Sequence, residues 1–139
     1  MKFNIDGLAK GCLGPTGIGG IIRNESGEVK INFSKPIGMD DSSQVEIMAV
    51  KEVILIFFTS KWKESHLLII ESDASNVVNW VNNGSQVPWR LRKWVILIKR
   101  IKEQLGPWEI KHVPRETNQE ANTLAKNAMS LGQSTFCVF

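Results

Sequence analysis

Apolar residues fall in short, strand-like blocks early in the chain and in longer, helix-spaced blocks later. Phe3 to Asp6 reads as a short strand, followed by a glycine-rich turn, GLAKGCLGPTG. GIGGIIR (residues 17–23) and EVKINFS (residues 28–34) flank NESG, a glycine-bearing turn that predicts a hairpin. Residues 36–43 read as a polar connection ending in DDSS, side chains suited to capping a helix. From about Gln44 to Ser60 the chain is apolar nearly all round, with Glu46, Val50, Val53 and Phe57 along one stripe. That pattern predicts a central, heavily buried helix.

HLLIIE (residues 66–71) is the near-continuous apolar run of an inner strand covered on both faces. SNVVNWVN (residues 75–82) predicts a short helix, closed by the glycine of NNG. Pro88 suits the start of the next helix, which runs to about Leu105 with Leu91, Trp94, Val95, Ile98, Ile101 and Leu105 as its apolar stripe. Gly106-Pro107 stops it, WEIKHV (residues 108–113) alternates as a strand, and Asn118 to Ser130 forms a last helix. The tail QSTFCVF receives no assignment. The predicted order is β-β-β-α-β-α-α-β-α, an α/β (mixed α+β) fold in which helices cover a mixed sheet. It is expected to be a single domain over residues 1–139, with 131–139 as a C-terminal tail.

A length of 139 residues suits one domain with a substantial core, and 42% hydrophobic with 22% charged residues is ordinary globular composition. The longest apolar run, VILIFF, has six residues, far short of the roughly 18 of a membrane span. The start, MKFNID, lacks the apolar segment of a secretory signal. Cys12 and Cys137 lie near opposite chain ends without metal-type spacing; both read as free thiols, so an intracellular setting, cytoplasm or nucleus, is expected. The net charge of +3 leans towards an anionic partner. From Arg90 to Lys102 there are six basic residues (Arg90, Arg92, Lys93, Lys99, Arg100, Lys102) and no acid, a pattern that by itself describes a solvated helix face.

Three carboxylates change that picture. Asp6 ends the first strand, Glu46 sits at the start of the most apolar helix, and Asp73 follows the apolar strand. Asp73 as a helix cap and Glu46 on a helix dipole explain each one singly. Three acids at the ends of elements that can meet in one sheet make a shared hard cation competitive, since unpaired buried carboxylates are costly and Mg²⁺ prefers oxygen ligands.

IDG at Asp6, VEIMAV at Glu46, IIESDAS at Asp73 and IKHVPRETNQEANTLAK together resemble the ribonuclease H fold, in the right order over residues 3–129. The closest likeness is to the RNase H-like domain of plant proteins and plant non-LTR retroelement reverse transcriptases, of which GIGGIIRN, PWRL and KHVPRE are typical. The resemblance implies a five-stranded mixed sheet. It also implies two Mg²⁺ ions (Mn²⁺ as substitute) and hydrolysis of the RNA strand of an RNA–DNA hybrid to leave a 5′-phosphate. It makes Asp6, Glu46 and Asp73 metal ligands, Asp6 bridging both ions, and gives His112 a role in proton transfer or product release. The fourth acid of the pattern falls at Asn122, which keeps a carbonyl oxygen but no charge, so it is expected to ligate weakly and to reduce activity. Gly7, Gly11, Cys12, Ser43, Gln44, Arg90, Arg92, Lys93 and Asn118 are the expected contacts to the hybrid or to a double-stranded nucleic acid.

Departures from the family pattern are Leu8 and Cys12-Leu13 in the first turn, as well as Asn122. They keep two other readings open, a non-catalytic nucleic-acid-binding module and an interaction scaffold. Trp62, Trp80, Trp94 and Trp108 read as core, and Trp89 as the exposed tryptophan. No membrane partner is expected; the domain is expected to be monomeric, and because the chain starts almost on its first strand, a longer parent polypeptide is an open expectation.

Overall fold

The leading hairpin forms where NESG supplies its own turn chemistry. Asn24 Oδ1 accepts from the backbone N–H groups of Ser26 and Glu28, and Gly27 takes the positive φ (82°) that closes the turn. The computed structural model describes residues 1–9, 15–39, 42–61, 67–84, 86–105 and 108–139. Three strands come first, β1 (Lys2–Ala9), β2 (Pro15–Arg23) and β3 (Val29–Met39), then helix α1 (Ser42–Phe58) and strand β4 (Leu68–Ser72). Helix α2 (Ser75–Asn83) follows, then a 3₁₀ turn (Trp89–Leu91) leading into α3 (Arg92–Leu105). Strand β5 (Trp108–His112), a second 3₁₀ turn (Arg115–Asn118), α4 (Gln119–Leu131) and β6 (Thr135–Val138) complete the chain.

The sheet order is β5-β4-β1-β2-β3-β6. β1 pairs in parallel with β4, and β4 with β5, while β1–β2, β2–β3 and β3–β6 are antiparallel. The predicted order of elements and the mixed sheet are therefore present, with two corrections. The unassigned tail is a sixth strand, pairing Ile31–Ser34 with residues 135–138, so it belongs to the sheet. The polar connection begun at Pro36 is instead the continuation of β3 to Met39. A bulge at Ile37 makes that possible: Gly17 pairs with Pro36 but Thr16 with Gly38, and Thr16 Oγ1 donates to Gly38 O at 2.8 Å. β6 pairs only as far as Ser34, so Pro36 lies on an open edge, where its missing N–H costs no ladder bond.

α1 buries Val45, Ile47, Ala49, Val50, Val53, Ile54 and Phe57, as its all-round apolarity predicts. α2 ends on Gly84 in the left-handed conformation. α1 and α4 cover opposite faces. A Cβ on Gly7 would lie 2.9 Å from the backbone nitrogen of Glu46, whereas one on Gly19 would lie 2.5 Å from that of Ala125. Gly7 pairs with Ile18, the neighbour of Gly19, and neighbours in a strand point to opposite faces. Small residues on α4, Ala121, Ala125 and Ala128, complete that close packing. Trp108 is buried, Trp80 and Trp94 are half-buried against the core, and Trp89 is 83% exposed; Trp62 lies outside the described residues. Among the described residues, no helix is long and apolar enough to cross a membrane.

Candidate active site

β1 and β4 are parallel neighbours, with Ile5 opposite Ser72, so Asp6 and Asp73 follow at the same end of the sheet. Such carboxyl ends are where open α/β sheets place their ligand crevices. Glu46 arrives from α1, one turn in from Ser42, because Gly7 lets β1 approach the backbone of Val45 and Glu46. One carboxylate oxygen from each of Asp6, Glu46 and Asp73 lies within 4.8 Å of the other two.

The electrostatics of this cluster are unfavourable on their own. Burial pushes Asp6 up from 3.8 to about 6, the Asn122 bond opposes that, and Asp73 repulsion adds to it. Burial pushes Glu46 well above the ordinary carboxylate range, with repulsion from Asp6 and Asp73 in the same direction. Glu46 Oε2 is buried without a hydrogen-bond partner. Clustered acids with an orphaned oxygen fit a hard divalent cation, which takes oxygen ligands and removes the repulsion.

Asn122 meets the cluster with its donor end. Its Nδ2 donates to Asp6 Oδ2 at 2.7 Å, while the backbone N–H of Gly7 donates to Asp6 Oδ1 at 3.0 Å. The carbonyl oxygen expected as a ligand is thus not the atom turned to Asp6. Asn118 also differs from expectation. It is 1% exposed, accepts from Asn4 Nδ2 at 3.3 Å and donates to Ile5 O at 2.7 Å. It ties the start of α4 to β1 and is not on the open surface. Gly7 likewise is buried, packed against Val45 and Glu46 of α1.

The cluster opens on a cleft of about 650 Å³ lined by Ser43, Glu46, Asp73, Asn76, His112 and Arg115, among others. His112 ends β5 and is exposed at that rim. Gln44 is half-buried beside Ser43 on α1, while Arg90 in the 3₁₀ turn and Arg92 and Lys93 at the start of α3 are exposed and do not line the cleft. Gly11 and Cys12 lie outside the described residues. Sequence reasoning missed Asn4, whose amide also donates to Glu71 Oε1 at 3.0 Å, and Arg115, which pairs with Asp73. An asparagine in the middle of an apolar strand was the available signal for the first.

Residues 4–128 match the family described as reverse transcriptase-like. A ribonuclease H of Chlorobium chlorochromatii is 28% identical over 104 residues, covering 75% of this chain and 66% of that protein, just under two thirds of its length. LC11-RNase H1, isolated from compost by a metagenomic approach, superposes with a TM-score of 0.87 at 25% identity, covering 94% of this chain and 96% of its own. A second structure of LC11-RNase H1, in complex with an RNA/DNA hybrid, gives the same score and identity over 94% and 97%. RNase H1 of the halophilic archaeon Halobacterium salinarum shares the fold at a TM-score of 0.81 and 21% identity, over 93% and 96%. With nine-tenths of its length matched and its strand order and acids arranged as described, the chain belongs to the reverse transcriptase-like family and is an RNase H-like domain.

Proposed function

We propose that this domain, over residues 1–139, is a divalent-cation-dependent endoribonuclease that hydrolyses the RNA strand of RNA–DNA hybrids. The observation that carries the reading is the convergence of Asp6, Glu46 and Asp73 oxygens within 4.8 Å, with Glu46 and Asp73 in the wall of an open cleft. The hybrid bound to LC11-RNase H1 supports the substrate class. Asp6, Glu46 and Asp73 would hold Mg²⁺, or Mn²⁺ in its stead. Bound there, such ions stabilise the attacking and leaving oxygens of an in-line displacement.

The chain's own groups do the rest. Two donors, Gly7 N–H and Asn122 Nδ2, favour the ionised form of Asp6 against its burial. Packing at Gly7 fixes Glu46 against Asp6. Water attacks phosphorus and gives up a proton to solvent, the P–O3′ bond breaks, and protonated His112 at the rim delivers the proton that the departing 3′ oxygen needs, leaving a 5′-phosphate. Arg90, Arg92 and Lys93 contact backbone phosphates electrostatically, and Ser43 and Gln44 contact the hybrid near the cleft. Activity is reduced because Asn122 brings no charge to the fourth position.

The Asn122–Asp6 bond favours a second reading, a hybrid-binding module without turnover. Cleavage of a labelled hybrid in Mg²⁺ and in Mn²⁺ separates the two, beside Asp73→Asn and Asn122→Asp. Slow cleavage, abolished by Asp73→Asn and raised by Asn122→Asp, supports the ribonuclease. Cleavage by Asn122→Asp alone supports the binding module, and silence from both natural chain and Asn122→Asp refutes the enzyme.

A further inference from the structure

Arg115 opens the turn between β5 and α4, directly after Pro114, whose extended backbone (φ −62°, ψ 152°) carries the chain away from the strand end. Its side chain is 81% exposed, yet its Nε stands 3.9 Å from Oδ2 of Asp73, which is only 12% exposed. Among the described residues, this is the one salt bridge that reaches the three clustered acids. Arg115 also lines two open clefts among the described residues. One carries Glu46, Asp73 and His112, and the other Gln119, Asn122 and Lys126.

An ion pair this long, with one partner largely in water, is held weakly. Asp73 is also one of the acids that a divalent cation would take. A cation at that carboxylate competes with the guanidinium for its charge and repels it. Once displaced, the guanidinium stays tethered by a short turn beside the two clefts that Arg115 lines. There its planar fork of donors matches a phosphate, which it can bind through two hydrogen bonds.

We propose that Arg115 is a substrate-contacting residue that exchanges partners, lying on Asp73 before a divalent cation binds and passing to a backbone phosphate of the hybrid once the cation takes Asp73. The proposal rests on the ribonuclease reading of the same site. It couples the two ligands. Arg115 competes with the cation and attracts the hybrid, so its removal tightens one affinity and weakens the other. A residue that merely supports the turn would not move the two in opposite directions.

The test uses the full chain, natural and with Arg115→Ala or Arg115→Lys. Mn²⁺ affinity is measured by calorimetry without nucleic acid. Hybrid affinity is measured by anisotropy of a labelled RNA–DNA duplex in Ca²⁺, with the RNA checked intact after each titration. Arg115→Ala is expected to tighten Mn²⁺ binding about two- to fivefold and to weaken hybrid binding roughly tenfold. Arg115→Lys is expected to restore the natural Mn²⁺ affinity but only part of the hybrid affinity, since an ammonium lacks the fork. Thermal melting confirms that each variant is folded, and Arg115→Gln replaces the alanine variant if that one is not. Either affinity unmoved, or both moved in the same direction, overturns the exchange. When the natural chain binds both ligands, that result leaves the ribonuclease reading standing. A natural chain that binds no hybrid overturns both.

Discussion

Replacing Asp6 with asparagine tests whether the acid cluster is held together at a cost to the fold. Asp6 is 2% exposed and titrates at about 6 instead of 3.8. Asparagine is nearly isosteric with the protonated acid, so it mimics the neutral form that burial favours. A rise of about two units corresponds to ~3 kcal/mol between the ionised and neutral forms. Because the folded value is raised, the associated stability is fully present below about pH 4 and is lost as the pH climbs through about 6. In EDTA, Asp6→Asn is therefore expected to be up to ~3 kcal/mol more stable than the natural chain at pH 7, and equal to it near pH 4. Glu46 moves the same way, since repulsion by Asp6 contributes to its own raised value.

Urea unfolding followed by tryptophan fluorescence, at both pH values and in EDTA, reads the difference directly. Added Mg²⁺ is expected to erode the variant's advantage: a ligand at a hundred times its dissociation constant adds ~2.7 kcal/mol to a folded state that binds it. Asp6→Asn no more stable than the natural chain at pH 7, or a gain undiminished at pH 4, refutes the reasoning.

Two further substitutions and one deletion probe what holds the site and its sheet in place. Asn118→Ala orphans the carbonyl of Ile5 and frees the start of α4, so urea unfolding should report a loss of roughly 2–3 kcal/mol. Gly19→Ala would bring a Cβ within 2.5 Å of Ala125 N and 2.7 Å of Ala121 O, both backbone atoms, so β2 and α4 must separate. Thermal melting should show a loss of at least ~2 kcal/mol, the scale of an overpacked core. Deleting residues 133–139 uncovers the β3 edge at Ile31–Ser34 and is expected to lower the melting temperature and promote association, seen by light scattering. Mn²⁺ affinity should be unchanged by the deletion, because β2 and β3 separate β6 from β1.

The parts of the fold legible in the sequence are those with strong local rules. NESG carries its own turn hydrogen bonds, α1 is apolar all round, and Gly84 caps α2, so each could be read without knowing its neighbours. β6 could not be read, because all four of its residues are exposed and no alternation marks a buried face. The extension of β3 beyond Pro36 was hidden for a related reason. Proline argues against a strand unless one edge is open, and that edge is set by where β6 stops. At the site, the three acids were visible as polar residues in apolar elements, but the direction of a side chain was not. Asn118 and Asn122 sit four apart on adjoining turns, yet one is a buried strut and the other a donor to Asp6. Arg115 lay in plain view within VPRE, but its reach to Asp73 depends on how the turn leaves β5.

Asn122 draws these strands of physics together. A carboxylate in its position would stand against Asp6 where the amide now donates at 2.7 Å, adding repulsion to a residue that burial already pushes up. The amide removes that repulsion and favours the ionised form of Asp6, so the cation-free fold is steadier than a four-acid cluster would be. The same substitution withholds a negative charge from any cation that binds. Stability without metal and affinity for metal are thus set against each other by one side chain. Asn122→Asp must therefore lower stability in EDTA and raise cation affinity together, and a variant that shifts only one of the two would show that the amide's bond to Asp6 is incidental to the chemistry of the site.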